Sequence, residues 1–188
     1  LSGAAVDFTG WSFDDDSRTP GVTDLSSIGV VGPGQSVILT EVEAAAFRTA
    51  WGISASVPVI GDNTNNLGRD DEINLYDAGG NLVDRLTYGD TAFIGSVRTQ
   101  NISGRPASGA ALGANDPLLW VLSAVGDVEG SFVSTGSDIG SPGATAVPIP
   151  GALKSWMPSE VLVDGKAIRP CLVTSFTNMI PDCGTHKT

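Results

Sequence analysis

Histidine and cysteine are almost missing from this sequence. The one histidine is His186, and the two cysteines, Cys171 and Cys183, lie in the same carboxyl-terminal region, so the main domain carries neither residue type. A Ser-His-Asp or Cys-His arrangement would have to recruit an imidazole from the end of the chain, where frayed backbone is the usual state. No Gly-x-Ser-x-Gly elbow is present, because Gly34-Gln35-Ser36 lacks the second glycine. Cys171 and Cys183 can pair, although nothing in the sequence forces them to. Low cysteine content suits an exported bacterial protein as well as a cytosolic one. Long apolar runs are also missing, and no stretch reaches the roughly 18 residues that span a bilayer. Basic residues are scarce: 10 Lys and Arg face 21 Asp and Glu, for a formal net charge of −11. Most of such a surface repels a phosphate backbone, which argues against nucleic acid as a partner and in favour of cations. The chain opens at Leu1-Ser2-Gly3 without the charged segment and apolar core of a signal peptide. A mature or truncated amino terminus fits that beginning.

Turn-forming residues, by contrast, are plentiful. With 24 Gly, 11 Pro and only 16% charged residues, the 188-residue chain reads as many short strands joined by tight turns. The expected class is all-β, one domain with an appendage. Charge divides the chain in the same way. Residues 1 to 148 hold eighteen acids against six bases, a net of −12, whereas residues 149 to 188 hold three acids against four bases, a net of +1.

Local patterns place the elements. Trp11 and Phe13 share one face of a first strand. A weak β segment covers 22 to 31, and Gly32-Pro33-Gly34 forces a turn before the apolar strand 36 to 40. Thr40 followed by Glu43 reads as a capping box for a helix from Val42 to Trp51, whose Ala46, Phe47, Ala50 and Trp51 recur at helical spacing. After a short strand at 57 to 60 comes a polar loop, and the alternation of Ile73 and Leu75, continued by Leu82, Val83, Leu86 and Tyr88, predicts a hairpin closed at Ala78-Gly79-Gly80-Asn81. Further strands are expected at 96 to 100, 119 to 125 and 131 to 135. Asn101-Ile102-Ser103 fits a glycosylation acceptor, and Trp11, Trp51 and Trp120 sit in apolar patterns that favour core packing over sugar stacking.

This order of segments resembles the lamin-tail domain family. The residues that carry the resemblance are LSGAAVDFTGWSFDDDS at 1 to 17, VGPGQSVILTE at 31 to 41, FRTAWG at 47 to 52 and DEINLYDAGGNLVDRLTYGD at 71 to 90, with LSAVGDVEGSFVSTGSDIGSPGAT at 122 to 145 similar to the end of bacterial members. It implies an immunoglobulin-like β-sandwich with one short helix over residues 1 to 145, found in nuclear lamins and in exported bacterial proteins. Residues 146 to 188 form a Pro-containing linker and extension. The opening strands that family members carry before the Leu-Ser-Gly segment are not in this sequence, which predicts an uncovered sheet edge and self-association through it. Val147-Pro148-Ile149-Pro150 resembles the start of a bacterial surface-sorting tail, but Lys154, Trp156, Pro158 and Glu160 follow in place of an apolar helix. A hairpin around Val163-Asp164-Gly165-Lys166, a non-native extension and a frame-shifted end all remain open for 153 to 188.

Two acidic loops hold the candidate chemistry. Asp14, Asp15, Asp16 and Asp24 flank one turn, and Asp62, Asn63, Asn65, Asn66, Asp70, Asp71 and Glu72 flank another. Hard oxygen ligands of this type suit calcium. The spacing is not that of an EF-hand, because Arg18 occupies the third ligand position; turn formation by Asp and Asn is the plain alternative. The sequence is thus read as a secreted or cell-surface binding or structural module, calcium-binding, with an extracellular ligand that the sequence does not identify. The second reading is a calcium-dependent hydrolase of a small ester, lactone or phosphoester, with a spare carboxylate as base. The resemblance implies a hydrolytic context, since bacterial lamin-tail modules occur beside nuclease, phosphatase and phytase-like domains.

Overall fold

A computed structural model describes residues 4–146. The expectations for His186, Cys171, Cys183, Trp156 and the 153 to 188 segment lie outside the described residues. The chain begins with short strands β1 (Val6–Asp7), β2 (Ser12–Asp14), β3 (Thr23–Asp24), β4 (Val30–Val31) and β5 (Ile38–Leu39), followed by the helix α1 (Ala44–Trp51). Then come β6 (Val59–Ile60), the longer β7 (Asp71–Tyr76) and β8 (Leu82–Tyr88), β9 (Gly104–Pro106), β10 (Trp120–Leu122), β11 (Phe132–Val133) and β12 (Ile139–Gly140). The centre is a four-stranded antiparallel sheet in the order β3-β2-β7-β8. Around it β1 pairs with β4, β9 with β10 and β11 with β12, all antiparallel, while β5 and β6 pair in parallel.

The hairpin forms where the alternation predicts it. Asp77 closes it, its Oδ1 accepting from the Gly79 and Asn81 main-chain N–H groups at 2.8 and 2.9 Å. The helix is shorter than the periodicity suggests, and its cap differs. Thr40 and Val42 are held beside β6 by Asn63 N–H to Thr40 O and Asp62 N–H to Val42 O. That pulls 40 to 42 out of the helix and leaves Glu43 as the N-cap, its two carboxylate oxygens accepting from Ala45 and Ala46 N–H. Gly52 ends the helix in the left-handed region (φ 61°), where a side chain would be strained. The strand expected at 96 to 100 does not form, because turns anchored by Phe93 N–H to Gly89 O and Ser96 N–H to Phe93 O precede it and no ladder partner reaches it. Gly104-Arg105-Pro106 forms a strand instead, against the low β propensity of Gly and Pro, because its edges meet β10.

Two apolar clusters fill the interior. Phe8, Phe13, Leu25, Leu39, Leu67, Ile73 and Leu75 form the first, with Trp11 and Tyr88 packed against it. Each such side chain contributes about 1.5–3 kcal/mol by leaving water. Ile38, Phe47 and Trp51 form the second, under the helix. Trp51 meets Phe132 edge-on with centroids 5.5 Å apart, and Thr135 N–H donates to Ala50 O at 3.1 Å. The later strands are thereby fixed to the helix.

Candidate functional site

The acidic loops meet on one face of the central sheet. Ser12 lies opposite Tyr76, Phe13 opposite Leu75 and Asp14 opposite Asn74. Alternation sends Phe13, Ile73 and Leu75 into the core and Ser12, Asp14, Glu72 and Asn74 to the other side. That other side is polar but closed to solvent: Asp14 and Asn74 are 0% exposed and Glu72 is 4% exposed.

The turn after β2 covers it. Arg18, in the left-handed region at φ 54°, sets the edge of its guanidinium against Glu72, with Nε donating to Oε2 and Nη2 to Oε1, both at 2.7 Å. Thr87 Oγ1 donates to Glu72 Oε1 at 3.0 Å and Asn74 Nδ2 to Oε2 at 3.2 Å, while the Arg85 Nε stands 3.5 Å from Oε2 and donates to Asn74 Oδ1. The Arg18 fork, outweighing burial and helped by Asn74, Thr87 and the Arg85 charge, holds the Glu72 carboxyl at about 2. Asn74 Nδ2 also donates to Asp15 O at 2.6 Å, tying the turn to the sheet.

The predicted calcium ligands separate into individual roles. Asp14 accepts from Ser17 Oγ, from Thr19 N–H and, across the two loops, from Asn65 Nδ2 at 2.9 Å. Asp15 accepts from Ser17 N–H and Asp24 from Ser26. Asn63 accepts from Thr23 Oγ1 at 3.1 Å and donates to Asn65 O. Asp62 sits at φ 57°, a turn position. Asp70 points away toward the chain after β8, accepting from Thr91 and Ala92 N–H. Gly89 permits that approach: a Cβ there would stand 2.0 Å from Asp70 Oδ1. Asp71 accepts from Asp16, Glu72 and Gly68 N–H. The structure therefore joins the loops at two places, Asp16 N–H to Asp71 and Asn65 to Asp14, with Asn63 bonded to Asn65 and Thr23, and leaves Asp24 and Asp70 bonded elsewhere. Among the described residues, no three of His, Cys, Asp and Glu are arranged to hold a metal ion. Asp16 is the crowded member, its carboxyl raised chiefly by the Asp71 charge, with lesser contributions from burial and from Asp15, Glu72 and Asp14.

Sequence reasoning missed the cations of this face. Arg18 counted only as a break in an EF-hand pattern, whereas it is the counter-ion of Glu72. The available signal was the Glu72, Asn74 and Arg85 set, one face of a predicted hairpin lined with groups that need partners.

The family model of the lamin tail domain matches residues 1–90. That stretch belongs to the lamin-tail family. Its fold is immunoglobulin-like and all-β, as the resemblance implies, and the match takes in both acidic loops and the whole of the central sheet. No curated protein and no solved structure matches the chain. The lamin-tail match stops at residue 90, short of the 145 residues over which the sequence resemblance runs, yet packing does not stop there. Thr91 and Ala92 N–H bind Asp70, and Phe132 covers Trp51. At the far end Glu129 accepts from Thr145 Oγ1 and from Ala146 N–H. Among the described residues, no helix is long and apolar enough to cross a membrane.

Proposed function

We infer that the chain is an exported, bacterial lamin-tail module that binds or scaffolds, with residues 1 to 145 as the working domain and 146 to 188 as an extension. The observation that carries the binding or scaffolding role is the use of the loop carboxylates. Asp14 and Glu72, buried, and Asp15, Asp24, Asp70 and Asp71, nearer the surface, all accept from the protein's own donors, which fixes the loops rigidly and suits a scaffold that holds a surface in place. Asp16 is the loop carboxylate outside that set, and it is the one a hydrolase would use as its base. Export and bacterial origin are supported by the resemblance of 122 to 145 to the end of bacterial members. In this reading the ligand is extracellular.

Calcium is the cation in this reading, and the support for it is the repulsion between Asp16 and Asp71. A divalent ion beside these two carboxylates would relieve that repulsion and take further oxygens from the loop carbonyls and water. Thermal unfolding in calcium and in chelator tests it. Calcium should raise the melting temperature of the parent chain and leave Asp16→Ala unmoved; equal melting temperatures in calcium and chelator would remove calcium from the function. Assays of activated esters, lactones and phosphoesters in the same two conditions test the binding role, since turnover lost in Asp16→Ala would make the chain a hydrolase.

A further inference from the structure

The inner face of β7 and β8 does not close completely against the β9–β10 ribbon. A pocket of about 50 Å³ remains, walled by Ile73, Leu86, Tyr88, Val97, Gly104 and Trp120. It exceeds the ~30 Å³ share of one water and falls well short of the ~150 Å³ cavity that holds benzene, so it suits the end of one branched aliphatic side chain. A free molecule with so few atoms would bind weakly, whereas a side chain presented by a larger partner brings its own flanking contacts.

Two further observations bear on this pocket. Trp120 Nε1 and Ser96 Oγ, the latter adjacent in sequence to Val97, are buried without a hydrogen-bond partner among the described residues. Buried donors in native folds are almost always satisfied, which leaves Trp120 wanting an acceptor. Apolar surface also continues at the pocket's side: Ile94 is 90% exposed and Leu118 is 57% exposed, with Leu118 beside Gly95.

Charge selects the partner. Asp70, Asp71 and Glu41 all act on the Tyr88 phenol, so the Tyr88 end of the pocket is acidic. Asp90 holds Arg69, and Arg98, between the lining residues Val97 and Thr99, also acts on Asp90, so Asp70, Asp71, Glu41 and Asp90 outnumber the two bases at this end. The chain as a whole carries −11. A second copy would bring the same negative field against this one, and the 149 to 188 segment is close to neutral, so neither complements it. Strand addition along β8 is disfavoured as well, since Asp84 occupies the Arg85 N–H and Asn115 the Thr87 N–H.

We propose that this pocket receives one Leu, Ile or Val side chain from a basic polypeptide segment of a partner protein, whose main-chain carbonyl accepts the Trp120 indole N–H. The proposal rests on the binding-module reading and gives that module a partner class. Selection of random twelve-residue peptides on the full chain at low salt tests it, with affinities then measured by fluorescence anisotropy. The enriched peptides should carry one branched aliphatic residue flanked by Lys or Arg and should shift the Trp120 indole N–H resonance downfield. Gly104→Leu, which adds a side chain at the pocket wall toward Thr99, Val97 and Trp120, should weaken them at least tenfold. Leu118→Lys, an exposed change that leaves the core alone, should weaken them about fivefold by repulsion. Peptides that bind both variants as well as the parent would overturn the pocket while leaving a binding module in place. Enrichment of acidic or wholly polar peptides, an unmoved Trp120 resonance, or a Trp120 resonance that moves with protein concentration alone would also overturn it. Failure to enrich any peptide would count against the pocket and the module together.

Discussion

The two faces of the central sheet are both shut off from water, and by opposite means. One face is closed by apolar packing: Phe13 and Leu75, with Phe8 and Leu25, sit in the main cluster. The other is closed by a polar lid, the turn after β2, whose Arg18 and Asp15 carbonyl meet Glu72 and Asn74. Apolar contact tolerates small shifts, because dispersion is spread over many atoms. A buried carboxylate does not, since each missing donor leaves charge without compensation. The polar face is therefore the part of the fold that fixes loop positions most strictly, and those loops carry the candidate site.

The apolar face carries the largest expected loss. Phe13→Ala should cost about 3–5 kcal/mol in urea unfolding, through lost burial and a residual cavity. A loss below 1 kcal/mol would mean that this face is not the main core. Glu72→Ala comes next. It leaves Arg85 part-buried without its counter-ion, but Arg18 is exposed, so the loss should fall below the ~3–5 kcal/mol of a fully buried pair, at about 2 kcal/mol. No loss in urea unfolding would reduce the polar lid to surface decoration. Arg18→Ala should be the smallest, about 1 kcal/mol, because its charge is solvated and Thr87, Asn74 and Arg85 still face Glu72. Urea unfolding of Arg18→Ala and Glu72→Ala side by side should rank them in that order.

The two faces also differ in how far the sequence reveals them. Ile73, Leu75, Leu86 and Tyr88 follow a period of two, so the hairpin and its apolar face are readable from spacing alone. The polar face is not, because Asp14, Glu72 and Asn74 look like the solvated side of an amphipathic strand; only a turn folded back over them, with Arg18 at its crest, makes them interior. Long-range placement by a turn leaves no periodic trace. The same reason hid β12, whose Ile139 and Gly140 find their partners at Val133 and Phe132 through another turn. The acidic loops stand out in the sequence as two separate clusters, whereas their adjacency and their hydrogen bonds to Asn65, Thr19, Ala92 and Gly68 depend on coordinates that composition does not carry.

Acid pH separates the faces without mutation. The apolar face is indifferent to protons. Glu72 has a folded carboxyl at about 2, below its ordinary value of 4.5, so the unfolded chain binds the proton more readily. Its contribution to stability is present above pH 4.5 and is lost as pH falls toward 2. Asp127 works in the same direction: burial opposes ionisation, but the Ala124, Ser131 and Glu129 N–H groups outweigh it and hold the carboxyl at about 2.

The direct measurement is the titration of the Glu72 side-chain carboxyl by carbon-detected NMR on the full chain. A midpoint near 2 is expected, rising in Arg18→Ala as the guanidinium fork is removed. A midpoint at the ordinary 4.5, unchanged by Arg18→Ala, would show that the polar face is open to water and would contradict the buried lid on which this account depends.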